Sequence, residues 1–90
     1  MSSILHHSDF TGRRAAEQYN RQAGRALRQA REAAGKTQVW LAKQLGIHEK
    51  TLQYAELGRV DIKSYHLLRT AEVLNITPTT LFRKTYEDLR

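Results

Sequence analysis

The chain contains no cysteine, a single proline and a single tryptophan. The missing cysteine excludes disulfides and thiolate metal sites and makes a reducing compartment the natural setting. With so little proline and few β-branched runs, little interrupts helical periodicity, and an all-α fold is expected. No apolar stretch approaches the roughly 20 residues that span a bilayer, so no membrane contact is expected. The opening residues Met-Ser-Ser-Ile-Leu-His-His-Ser-Asp lack a basic region followed by an apolar stretch, and a cytoplasmic location is expected. His6 and His7 are adjacent, do not face one site on a helix, and have no further ligands at suitable spacing. No metal and no other cofactor is therefore expected. A nucleophile–base–acid set and a phosphate-cradling glycine loop are also missing, which argues against an enzyme.

What the chain has in quantity is positive charge. Fifteen Lys and Arg against nine Asp and Glu give a formal charge of +6 over 90 residues. That balance favours a polyanionic partner. The length supports one domain with a marginal core, for which oligomerisation is a plausible support. Residues 1–10 show no periodicity and read as a flexible N-terminal arm. Residues 11–90 form the domain. Residues 11–34 read as one long helix, with Asn20 or Gly24 as a candidate break, since glycine costs about 1 kcal/mol relative to alanine inside a helix. Ala16, Tyr19, Ala23, Leu27, Ala30 and Ala34 gather on one face at 100° per residue. Arg14, Arg21, Arg25 and Arg28 gather on the opposite face. That face reads first as solvated surface opposite the core, with a phosphate-binding stripe as the alternative.

Residues 37–58 organise the rest. Thr37 can cap a helix start through its hydroxyl. Leu41, Ala42 and Leu45 follow on one face, and Gly46 supplies the left-handed stop. Ile47 anchors the turn. A second helix places Leu52 and Ala55 inward and ends at Gly58. Two helices of about two turns, joined by a three- or four-residue turn with glycine, make a helix-turn-helix unit.

This stretch resembles the phage repressor/Cro-type (Xre-like) helix-turn-helix domains. The matching features are Thr37-Gln38, Leu41-Ala42, Leu45-Gly46-Ile47, Thr51-Leu52, and Glu56 two residues before Gly58. The likeness extends over roughly 24–82. It implies an all-α, five-helix lambda-repressor-like DNA-binding domain, here with an extended N-terminal first helix and an extended C-terminal helix. It also implies a sequence-specific DNA-binding transcriptional regulator, a repressor acting as a homodimer on a palindromic operator in double-stranded DNA. The alternative is a protein-interaction module, such as an antitoxin or adaptor, on the same fold.

In that family the second motif helix enters the major groove. Glu49, Lys50, Gln53 and Tyr54 project away from Leu52 and Ala55 and suit base readout. Lys can bond guanine O6/N7, Gln can bond adenine N6/N7, and Glu can accept from cytosine N4. Tyr54 can touch a thymine methyl or donate to a phosphate. Glu49 repels phosphates unless it reads cytosine or bonds a neighbour. Gln38 sits at a helix N-terminus, where free N–H groups and the dipole suit a phosphate. His48 stands where the family prefers Ser or Thr as cap, and with Arg59 and Lys63 it completes the phosphate set. The resemblance also implies a structural ion pair between Arg31 and Glu56.

Trp40 departs from the family pattern, which carries a polar residue there. On a helical wheel it points away from Leu41 and Leu45, so it is expected to meet the arm, a second subunit or another protein. Beyond the motif, Ser64 or Asp61 can cap a helix with the stripe Leu67, Leu68, Ala71, Leu74, in which Thr70 replaces an apolar residue. Asn75 stops it. Thr77 caps and Pro78 opens the last helix. There Leu81, Phe82, Tyr86 and Leu89 form a candidate dimer contact, with packing on the domain's own core as the rival for the first turn.

Overall fold

The computed structural model describes the backbone of residues 2–86 and the side chains of 12–81 and 83. Five helices follow one another: α1 (Ser2–Ala33), α2 (Gln38–Leu45), α3 (Glu49–Glu56), α4 (Ser64–Leu74) and α5 (Pro78–Tyr86). The order matches the five-helix expectation. The backbone is helical from Ser2 onward, continuous with the stretch read as an arm.

α1 passes both candidate break points, Asn20 and Gly24, unbroken. The reason for Gly24 lies in packing. A Cβ there would come within 2.2 Å of the Ala55 carbonyl oxygen and 2.9 Å of that of Glu56. The C-terminal turn of α3 thus rests backbone-on-backbone against α1. Gly58 repeats the device one turn on: its φ is +74°, and a Cβ would meet the Arg21 Cα at 2.7 Å. Asn20 Nδ2 donates to Asp61 Oδ1 at 2.9 Å and ties α1 to the loop after α3.

The buried stripe of α1 is narrower than the sequence pattern suggests. Ala23, Ala26 and Leu27 are buried, Tyr19 and Ala30 half-buried, and Ala16 and Ala34 exposed. Residues 12–18 are all exposed, and among the described residues of α1 the core contacts begin at Tyr19. Leu27, Leu67, Ala71 and Leu81 centre one core cluster. Leu41, Leu45 and Leu52 centre the other, which joins the two motif helices. On α4 the inward positions are Leu67, Thr70 and Ala71, while Leu68, expected in the apolar stripe, is 48% exposed. Thr70 is fully buried without penalty, since its hydroxyl donates to the His66 carbonyl at 2.7 Å.

The ends of the helices follow their residues. Thr37 accepts from the Trp40 N–H at 3.0 Å. Gly46 closes α2 at φ +69°, and the Ile47 N–H returns to the Ala42 carbonyl at 3.0 Å. Asn75 closes α4 at φ +58°. Thr77 accepts from the Thr80 N–H at 3.3 Å, ahead of Pro78. Neither candidate cap for α4 acts as one: Lys63 holds the cap position with no side-chain bond. Ser64 is already helical, and Asp61 accepts from Asn20.

Candidate nucleic-acid interface

The outer face of α3 begins with an unusual cap. His48 Nδ1 accepts from the Lys50 N–H at 3.1 Å. An imidazole that accepts at Nδ1 while neutral carries its proton on Nε2. The exposed His48 can therefore cap the helix with one nitrogen and offer a donor with the other. It replaces the expected Ser or Thr hydroxyl in the first role.

Lys50 and Tyr54 are exposed, and Glu49 and Gln53 half-exposed. Gln53 Nε2 donates to Glu49 Oε1 at 3.4 Å, one turn apart. This neighbour bond answers the electrostatic objection to a carboxylate at that place. It leaves Gln53 one N–H and its carbonyl oxygen, the pair that adenine N7 and N6 require.

Beneath this face lies a three-donor carboxylate. Arg31 Nε donates to Glu56 Oε2 at 2.7 Å, and Nη2 to Oε1 at 2.9 Å. Gln38 Nε2 also donates to Glu56 Oε1, at 2.9 Å. Arg31 Nη1 donates to the Lys36 carbonyl at 2.9 Å, which satisfies a group beyond the end of α1. The hydrogen bonds that Arg31 donates to Glu56 hold its guanidinium above its ordinary pKa, although burial works in the opposite direction. The sequence placed Gln38 on phosphate; the structure gives it a first partner within the protein. Its amide has one N–H left, directed by the bond to Glu56. No local pattern announces this link across 18 positions.

Arg28, Arg31, Gln38, Gln53 and Leu57 line an open groove of about 600 Å³ between α1, the start of α2 and the outer side of α3. The presence of Arg28 there was not legible from the helical wheel, which shows its face but not what lies beside it. Arg59 and Lys63 are exposed in and beside the loop after α3. The Lys63 Nζ lies 6.0 Å from the Tyr65 ring centre.

The partner-contact residues fall differently. Leu81 is fully buried in the domain's own core and offers no surface to a second subunit. This corrects its place in a dimer stripe: at the fourth position of α5 it faces α1 and α4, the rival reading for that turn. Leu89 and the side chains of Phe82 and Tyr86 lie outside the described residues. Trp40 is half-buried against the cluster that joins α2 and α3, with the Lys36 Nζ 4.7 Å from its ring centre. Its own domain supplies much of the cover expected from elsewhere. Among the described residues, no three His, Asp or Glu side chains are placed to hold a metal ion, and no helix is long and apolar enough to cross a membrane.

Comparison with known proteins places this geometry. The family described as "Helix-turn-helix domain" matches residues 22–81. The crystal structure of the restriction-modification controller protein C.AhdI from Aeromonas hydrophila is similar at 30% identity and a TM-score of 0.63, covering 70% of this chain and 96% of that one. The structure of the clp gene regulator ClgR from C. glutamicum is similar in fold, with a TM-score of 0.72 and 22% identity over 80% of this chain and 94% of that one. No curated protein matches the chain.

Proposed function

The chain belongs to the helix-turn-helix domain family, and from that membership we propose that it is a sequence-specific transcriptional repressor, binding a palindromic operator as a homodimer in the cytoplasm. It is a regulatory DNA-binding domain rather than an enzyme. The observation that carries the proposal is the joint placement of α3's outer face and the start of α2. Lys50 and Tyr54 are exposed and Glu49 and Gln53 half-exposed beside the groove that Gln38 lines. A major groove about 12 Å wide admits one helix, and its bordering phosphates then lie where Gln38, His48, Arg59 and Lys63 can reach them. The likeness to a controller protein of a restriction-modification system supports a gene-regulatory role of this kind.

One domain of this size makes few base contacts. Two copies with recognition helices about 34 Å apart would read half-sites one duplex turn apart and multiply specificity. Selection of duplexes from a random pool tests the whole proposal. The expected product is a two-fold symmetric site with half-sites roughly 10 base pairs apart. A pool that gains no consensus sequence would overturn it.

A second reading, an antitoxin or adaptor that meets another protein, is favoured by one feature. Tyr65 and Leu68 on α4 are 58% and 48% exposed and three residues apart on one face. Binding that shows no dependence on salt or duplex sequence would favour this reading.

A further inference from the structure

Arg21, Arg25 and Arg28 of α1 recur at spacings of four and three and so share one face of the helix. All three are exposed. Two observations put this face beside the reading surface rather than behind the domain. Arg28 lines the same groove as Gln38 and Gln53. Arg21 lies against the turn that ends α3, where a Cβ on Gly58 would meet its Cα at 2.7 Å, and Arg59 follows directly in the chain. α1 therefore runs along the flank of α3, from the groove to the turn that follows it. Glu17 occupies the same face one turn before Arg21, so the cationic track begins at Arg21.

The span suits a phosphate row. Seven helical residues advance about 10 Å, or roughly three nucleotide steps of about 3.4 Å along a duplex axis. The track is also open for use. Among the described residues no ion pair engages Arg21 or Arg25. Among the described residues Arg28 pairs with Glu32, with Nε to Oε2 at 3.3 Å and the two side chains 56% and 53% exposed. Such a solvated pair contributes little, and a phosphate can take the place of the Glu32 carboxylate.

We infer that Arg21, Arg25 and Arg28 form a second phosphate-binding track, which grips the DNA strand bordering the groove that α3 enters. The inference rests on the DNA-reading function proposed above. It assigns this face of α1 a role beyond the solvated surface that its helical pattern first suggests. Glu32 is the intramolecular competitor that occupies Arg28 in free protein.

The test uses the full chain and measures duplex affinity across a salt series for Arg21→Gln, Arg25→Gln, Arg28→Gln and the triple variant. Each loss should lower the slope of log K against log salt by about one, with the rank order of single-base operator variants unchanged. Arg→Lys at each position should restore the slope. Glu32→Gln should raise affinity at low salt. Should the triple variant fail to fold, the single variants, altered only at exposed side chains, carry the test. Unchanged slopes with intact wild-type binding would overturn the track and leave the reading function standing. A wild-type chain that binds no duplex would overturn the function itself.

Discussion

Arg31 and Glu56 meet as a two-pronged pair, and the arginine's third nitrogen closes the end of its own helix on the Lys36 carbonyl. The Glu56 side chain is 3% exposed and that of Arg31 11%. One contact therefore fastens the first helix to the third and to the start of the second.

Removing one member leaves the other charge buried and unpaired. Glu56→Ala should lower stability by about 3–5 kcal/mol, the range for breaking a buried pair from one side. That is a large share of the roughly 5–15 kcal/mol that holds a small domain together. Chemical denaturation measures it. A midpoint equal to wild type would show that the pair contributes nothing.

Gly24→Ala should destabilise although alanine is the better helix former by about 1 kcal/mol. The added carbon would sit 2.2 Å from the Ala55 carbonyl oxygen, so a backbone must move. Overpacking of this kind costs about 1–3 kcal/mol. Gly12→Ala is the control, because nothing lies within 4 Å of its Cβ position. It should be neutral or stabilising. Equal melting shifts of the same sign in both variants would contradict the close approach at Gly24.

Burial, and secondarily the Lys63 charge, holds the His66 imidazole below its ordinary pKa. The folded chain thus favours the neutral ring more than the unfolded chain does. The resulting stability is fully present above the unfolded value of about 6.5 and is lost as pH falls through the lower folded value. Melting temperature should decline with acidification below about pH 6.5, and His66→Gln should flatten that decline. A parallel pH profile in the variant would remove His66 as the cause.

Lys50→Ala and Gln53→Ala should each relax preference at particular base pairs, by about 1–3 kcal/mol against the best site. Gln38→Ala should weaken all duplexes alike, since phosphates carry no direct sequence information. Because Gln38 also donates to Glu56, its loss should lower thermal stability as well. Affinities against a panel of single-base operator variants decide the matter. If Lys50→Ala, Gln53→Ala and Tyr54→Ala all keep the wild-type rank order, α3 is not the reading element.

The motif was the most legible part of the chain. Thr37 and Gly46 within it, and Asn75 beyond it, each act where their chemistry places them, because capping and left-handed stops depend on neighbours a few residues away. Contacts between distant segments were harder to read. Gly24 looked like a weak point, and only its nearness to the α3 carbonyls explains it. Leu81 looked like a surface stripe because periodicity gives a face and does not say what covers that face. Gln38 and Arg28 were placed by type and by wheel, yet their shared groove with Gln53 follows from how three helices cross.

The Gly24 contact has a consequence for how such a chain can diversify. The seat of α3 on α1 is made by main-chain atoms, so it does not depend on which side chains α3 carries outward. Positions 49, 50, 53 and 54 can drift, or be exchanged as a cassette, while the scaffold keeps its shape. Under the proposed function, a change of operator is then open to a few substitutions, whereas any residue larger than glycine at position 24 alters the seat for every cassette at once.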